Sequence, residues 1–317
     1  MGKEKEDHQT VQLRLLKMKI LITGANGLLG QKLVGLLANK PDVELIATAR
    51  GANRLPITDG YTYLDMDITD RERVLDVIAQ VRPDAVIHGA AMTDVDRCEL
   101  DKTGCWVQNV SAVEYIVDAC RVVGAFLCHV STDFIFDGAA GPYTEEAEGN
   151  PISFYGWSKY ASEKIVINSG INWGIARTVL VYGIAHDMSR SNIILWVKKS
   201  LEEGKTIKVV TDQFRSPTLA EDLAIGCALI AQNRAIGIFN ISGKEVLTPH
   251  EMALQTAHYF GLDNSLITEA TAATFQQTAR RPPRTGFIID KARTQLGYNP
   301  RSFGEGIALL AAQISGR

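Results

Sequence analysis

Tyr155 and Lys159, in the stretch YGWSK, are side chains of the types that move protons. Four residues apart on a helix they share one face, where a phenol and an ammonium can work as an acid–base pair. The cation is expected to draw the phenol down from its usual pKa of about 10 toward working pH. Such spacing is also common on solvated helices, so the rest of the chain must decide. Upstream, residues 125–132 read AFLCHVST, an apolar run that ends in two hydroxyls and is followed by Asp133. As a strand, this run points Ser131, Thr132 and Asp133 beyond its carboxyl end, toward the Tyr155 helix. A strand-end hydroxyl, a loop and a Tyr-x-x-x-Lys helix in that order are far more specific than any one of them.

The elements that must position these groups follow from periodicity. KILIT (19–23), VELIATA (43–49), YTYLDM (61–66), DAVIHGAA (84–91), AFLCHVST and WGIARTVLVYG (173–183) read as strands. Between them LLGQKLVGLLAN (28–39), DRERVLDVIAQV (70–81) and WVQNVSAVEYIVDACRVVG (106–124) read as helices. Short apolar strands alternating with helices predict an α/β fold, a doubly wound parallel sheet of the Rossmann kind. After about Gly183 the alternation loosens, with IKVVTDQFRSPT (207–218) and IGIFNISG (236–243) as further strands. We therefore expect an N-terminal extension over 1–17, disordered, and a dinucleotide-binding core over 18–183. Residues 184–317 form mainly a smaller C-terminal α/β substrate lobe, with some segments returning to the core.

ITGANGLLG places Gly24, Gly27 and Gly30, with Asn26, Leu28 and Leu29, between the first strand and its helix. Glycines there allow a tight turn and let a pyrophosphate approach the backbone and the helix N-terminus. At the end of the second strand, an NAD-specific fold usually carries an acid for the ribose 2′-hydroxyl. Here Arg50 stands, with Arg54 nearby, and a guanidinium suits a 2′-phosphate. This predicts NADP(H) as preferred cofactor, with NAD(H) admissible. Asp67 and Ile68 are placed to flank the adenine. Ala90, Ala91 and Thr93 form a small-residue shelf beside ribose and nicotinamide.

Composition narrows the field. The chain has 317 residues, 46% hydrophobic and 22% charged, with net charge −3. That balance is ordinary for a globular protein and gives no footprint for nucleic acid or an anionic membrane. No apolar run is long enough to span a bilayer. The first 17 residues lack the apolar centre of a secretory signal. Five cysteines and six histidines are scattered without metal-ligand spacing, so a reducing cytoplasm and no metal are expected.

In order, TGANGLLG, GAAMTDVDRCE, NVSA, VSTDFIFDG, YGWSK, VYG and DQFRSPT resemble the extended short-chain dehydrogenase/reductase family. Within it the likeness is nearest to the dTDP-4-dehydrorhamnose reductases, over essentially everything from Met18 on. The resemblance implies a triad of Thr132, Tyr155 and Lys159, with Tyr155 and Lys159 also against the cofactor and Asn109 bridging to Lys159 through water. It implies hydride transfer to a 4-keto-6-deoxy sugar nucleotide, dTDP-4-dehydrorhamnose giving dTDP-L-rhamnose, with Tyr155 as proton donor. On the substrate side it places Thr132, Asp133 and Phe134. Phe134 stands where dehydratase relatives carry glutamate, which counts against water loss. Arg215 and Arg281, with Arg280 and Arg284, are candidates for the diphosphate, although Arg215 replaces a glycine of typical relatives. Trp106 and Trp157 are candidate pocket walls, and Glu145 and Glu146 read as surface charge. A homodimer is compatible with the resemblance. Two alternatives stay open: a nucleotide-sugar epimerase of the same fold, or a non-catalytic NADP-binding regulatory subunit like the methionine adenosyltransferase β-subunit.

Overall fold

Ile20, Leu21 and Ile22 are all fully buried, as are Ala85, Val86 and Ile87, because a parallel sheet is covered on both faces. Strand alternation sends Ile20 and Ile22 into one core and Leu21 into another. The computed structural model describes residues 17–187 and 192–316, so the extension expected over 1–17 lies, but for Lys17, outside the described residues. Among the described residues eleven strands run in chain order: β1 (Met18–Thr23), β2 (Val43–Ala49), β3 (Thr62–Asp65), β4 (Ala85–His88), β5 (Phe126–Thr132) and β6 (Trp173–Thr178), then β7 (Val181–Tyr182), β8 (Ile207–Val210), β9 (Thr218–Leu219), β10 (Gly237–Asn240) and β11 (Ile267–Ala270). The helices are α1 (Leu28–Leu37), α2 (Arg71–Val81), α3 (Val95–Leu100), α4 (Lys102–Trp106), α5 (Ala112–Val123) and α6 (Phe154–Ile167), followed by α7 (Ile193–Glu202), α8 (Ala220–Gln232), α9 (Pro249–Phe260), α10 (Asp290–Leu296) and α11 (Phe303–Ser315).

Seven strands form one parallel sheet in the order β10-β6-β5-β4-β1-β2-β3. Side chains of α1 and α8 cover one face, and those of α2 and α5 the other. This is the doubly wound Rossmann arrangement expected from the alternation. Chain order reverses between β1 and β4, the place where such sheets open a crevice. The pair β8–β11 packs with α7 and α9 around its own apolar cluster, including Val197, Val209 and Ala257.

Local geometry departs from the periodicity in three places. The run 106–124 is not a single α-helix, because Val107–Ser111 is a π turn between α4 and α5. Asn109 in that turn bonds Met92 through both its N–H and carbonyl, which accounts for the extra residue in the winding. The strand 173–183 breaks after Thr178, because Leu180 adopts a left-handed conformation at φ 37° and redirects β7 to pair with β9. In DQFRSPT, Phe214 and Arg215 make only single bridges, to Arg284 and Leu247.

Helix α6 starts at Ser153, whose side chain caps the Gly156 N–H. It is locked to β6 by a buried ion pair: Arg177 Nε and Nη2 donate to the two Glu163 oxygens at 3.0 and 2.8 Å. Arg177 Nη1 also donates to the Glu145 carbonyl. Glu145 is itself buried, accepting from the Asn240 N–H, so it is not the surface charge expected of it. Removing one partner of such a pair leaves a bare buried charge. Arg177→Met is expected to cost about 3–5 kcal/mol. Urea denaturation reads it, and a loss below about 1 kcal/mol would mean that the pair does not lock α6.

Candidate functional site

The glycine loop packs too closely for side chains at two of its three glycines. A Cβ on Gly30 would lie 2.3 Å from the Gly24 carbonyl oxygen, and one on Gly24, at φ +74°, would lie 3.0 Å from Ala90 Cα. Gly27 N–H closes the turn onto Gly24 O at 2.9 Å. Gly27 is also the N-cap of α1, with no side-chain cap and no acid in the first turn, so free N–H groups and the positive helix end face outward. Leu28 and Leu29 open the helix, and Leu29 packs on the core. This loop fits a dinucleotide pyrophosphate. Asn26 fixes its side, donating to Ala52 O at 3.0 Å and accepting from the Arg54 N–H at 3.0 Å.

Arg50 is exposed beyond β2, 3.7 Å from Asp67 across the loop. Asp67 meanwhile accepts from the Thr69 N–H and hydroxyl, and Ile68 beside it is buried. At the end of β4, Ala90 N–H donates to Thr23 Oγ1, Ala91 is half-buried and Thr93 is exposed. Asn109 makes its hydrogen bonds with the protein itself. It bonds Met92, Cys105 Sγ and the Ser158 hydroxyl, clamping the β4 loop to α6.

Thr132, Tyr155 and Lys159 are all buried at the carboxyl end of β5. Thr132 donates to Asp133 Oδ1 at 3.0 Å and is a hydrogen-bond neighbour of the Tyr155 hydroxyl. Phe134 stands edge-on to the Tyr155 ring, with centroids 5.6 Å apart. Burial pushes the Tyr155 phenol up, the bond to Thr132 opposes this, and nearby Asp133 adds to the rise. Lys159 Nζ donates to Val130 O at 2.8 Å and lies 3.3 Å from His129 Nε2. Burial lowers its pKa to about 8 against the pull of Glu163. The pair therefore shares one face as the spacing predicts, but Lys159 does not draw the phenol down. Burial of the phenol is the largest influence on it.

The substrate-side candidates divide. Asp133 is buried and takes the hydroxyls of both Thr132 and Thr285, its pKa raised by burial with Arg215 opposing. Arg215 is buried as well, and its donors go to the carbonyls of Phe214, Pro282 and Pro283. It ties the proline-rich segment down and does not present a free fork for phosphate. Arg281 reaches across to α3 and grips Asp96 with both terminal nitrogens, at 3.2 and 2.7 Å. Arg280 and Arg284 are exposed, with Arg284 over the Phe214 ring. Trp106 and Trp157 are 44% and 53% exposed and belong to no core.

Sequence reasoning missed Thr285, the Asp96–Arg281 link and the stacked pair His88–His129. The histidines had a legible signal, since VIHGAA and LCHVST place each toward the carboxyl end of its strand. Among the described residues no cluster of histidine, cysteine or acid could hold a metal, and no helix is long and apolar enough to cross a membrane.

Residues 18–315 match the RmlD substrate binding domain family. A dTDP-4-dehydrorhamnose reductase of Streptomyces griseus is 31% identical over 280 residues, 86% of this chain and 86% of that protein. The methionine adenosyltransferase 2 subunit beta of Rattus norvegicus is 28% identical over 296 residues, 92% of this chain and 86% of that one. The fold superposes on the dTDP-4-dehydrorhamnose reductase of Bacillus anthracis in complex with NADP, with TM-score 0.82, 28% identity, and coverage of 94% of this chain and 100% of the other. A match that spans nearly the whole chain, glycine loop, strand-end threonine and Tyr-x-x-x-Lys helix included, makes this protein a member of the RmlD substrate binding domain family, within the extended short-chain dehydrogenase/reductase fold.

Proposed function

We propose that this chain, an NAD(P)-dependent oxidoreductase of the dTDP-4-dehydrorhamnose reductase kind, reduces a 4-keto-6-deoxy sugar nucleotide with NADPH, dTDP-4-dehydrorhamnose being the first candidate. The observation that carries the reading is a buried Tyr155, protonated and beside Thr132 at the end of β5. Reduced nicotinamide, when bound, supplies the hydride. Thr132 orients the substrate carbonyl, and Tyr155 gives its proton to the oxygen as charge develops there. Burial serves this direction, because a donor must hold its proton until the transition state. Lys159 holds the ribose and adds positive field, while Gly24, Gly27 and Gly30 receive the pyrophosphate. Exposed Arg50 is available to a 2′-phosphate. Residues 184–317 supply most of the substrate lobe, with Asp133 buried at its inner end and Arg281 nearer the surface. A homodimer and a cytoplasmic setting complete the proposal, the second supported by five buried free thiols.

A second reading has the relationship to the adenosyltransferase β-subunit behind it, in which the chain binds NADP and a partner without turnover. NADPH oxidation with dTDP-4-dehydro-6-deoxy-L-mannose separates the two. Turnover that Tyr155→Phe lowers by about a hundredfold or more supports the reductase. Binding of NADPH with no oxidation of it by any 4-keto sugar nucleotide removes that reading in favour of the second.

Gly30→Ala is expected to weaken NADPH by about tenfold or more, since the loop must open to admit the Cβ. Fluorescence titration of the folded variant measures this, and unchanged affinity would place the pyrophosphate elsewhere. The pH profile has a definite sign as well. Below about 8 Lys159 is charged, and above it the charge is lost while burial keeps Tyr155 protonated. Turnover should fall as pH rises through about 8. A profile flat to about pH 10 would take Lys159 out of the mechanism.

A further inference from the structure

His129 is a buried group that the proposed chemistry does not use. It lies on β5 opposite His88 of β4, the two rings stacked with centroids 5.5 Å apart. His88 has a partner, the Thr23 hydroxyl, at 2.8 Å from its Nδ1. The surroundings of His129 are in conflict. Its Nε2 lies 3.3 Å from Lys159 Nζ and 3.1 Å from Ser162 Oγ, and its Nδ1 has no hydrogen-bond partner among the described residues. Ser162 donates its only proton to the Lys159 carbonyl at 2.7 Å, so toward the imidazole it can only accept. The ammonium asks for a lone pair on Nε2, whereas the serine oxygen asks for an N–H. A neutral imidazole has one proton and cannot meet both demands.

We propose that His129 is a positioning residue whose ring proton sits on Nδ1 while Lys159 is charged and on Nε2 once Lys159 is neutral. With the ammonium present, Nε2 accepts from it and, together with Val130 O, holds it against β5. The Nδ1–H is then stranded in a dry core, an unsatisfied donor that works against the charged lysine. When Lys159 gives its proton to solvent, the imidazole re-equilibrates to Nε2–H, which donates to Ser162, and the stranded donor is gone. Burial keeps both imidazoles neutral, so neither becomes a competing cation. The other titratable or charged groups facing Lys159 are Tyr155 and Glu163 of its own helix and Cys105 of α4, with Glu163 ion-paired to Arg177 of β6. How firmly Lys159 holds its ligand is thus set from beneath the sheet end. This consequence rests on the role proposed for Lys159, whereas the proton switch does not.

Nitrogen-15 NMR of the histidine-labelled full chain, without cofactor or substrate, reads the tautomer directly. In the wild type the proton should pass from Nδ1 to Nε2 as pH rises, centred near the Lys159 titration at about 8. In Lys159→Met the ring should stay Nε2–H at every pH. Ser162→Ala removes the acceptor that favours Nε2–H, so its midpoint should move up by about half a pH unit or more. It also serves as the test if Lys159→Met does not fold. One tautomer throughout the wild-type titration, a switch that survives Lys159→Met, or an unmoved midpoint in Ser162→Ala would each overturn the proposal. Failure of every keto sugar nucleotide to turn over would sink the reductase reading and leave the tautomer result standing.

Discussion

An ammonium buried at the end of a sheet has to be solvated by the protein, and Lys159 imposes that requirement on everything around it. Only 3% of the residue is exposed. Its hydrogen-bond partners are the Val130 carbonyl and the His129 ring, both on β5, so the helix that carries it cannot drift from that strand. Tyr155, Lys159 and Glu163 recur every four residues along α6, and at helical pitch they stay on one face. The first points to the strand-end hydroxyl, the second grips β5, and the third binds Arg177 of β6. One helix face thus carries the proposed proton donor and its anchorage together. The distance between Tyr155 and the end of β5 follows from contacts one and two turns away.

The same burial that makes this anchorage expensive acts on the phenol as well. Desolvation disfavours the charged form of both groups, raising the phenol and lowering the ammonium. A tyrosine whose proton is firmly held is a better donor at rest than a base. That arrangement suits reduction of a carbonyl, in which the oxygen acquires the proton only as it becomes negative. Phe134 points the same way. Where a dehydratase would need another carboxylate, this chain puts an aromatic edge against the tyrosine, which deepens its burial and adds no acid.

Much of this was legible in the sequence because it depends on local order. The sheet shows in the alternation of apolar runs and helical periods, the glycine loop, Thr132 and Tyr155 each stand at an element's end, and Lys159 follows one helical turn after Tyr155. What the sequence did not reveal depends on pairings between distant residues. Nothing in DQFRSPT says that Arg215 will meet the carbonyls of Pro282 and Pro283, or that Glu145 will accept from Asn240. Isolated charges look solvated until a second segment arrives to take them in. The Tyr155 shift was missed for a related reason. Spacing shows which groups share a face but not how dry that face is, and dryness decided the sign.

Arg215 shows how a departure from the usual family residue reshapes a site without entering it. A glycine there would leave the carbonyls of Pro282 and Pro283 to other donors, whereas the guanidinium takes both and remains buried near Asp133. The segment it ties down carries Thr285, which bonds Asp133, and Arg281, which bonds Asp96 of α3. One arginine beneath the surface therefore fixes a wall that runs from the strand-end acid to the rim of the cleft. Its links to that wall run from a buried guanidinium to neutral carbonyls, so salt should weaken them less than the half-exposed Asp96–Arg281 ion pair at the rim. The contacts nearest the strand-end acid are thus the buried ones, and the exposed ion pair lies at the far end of the same segment.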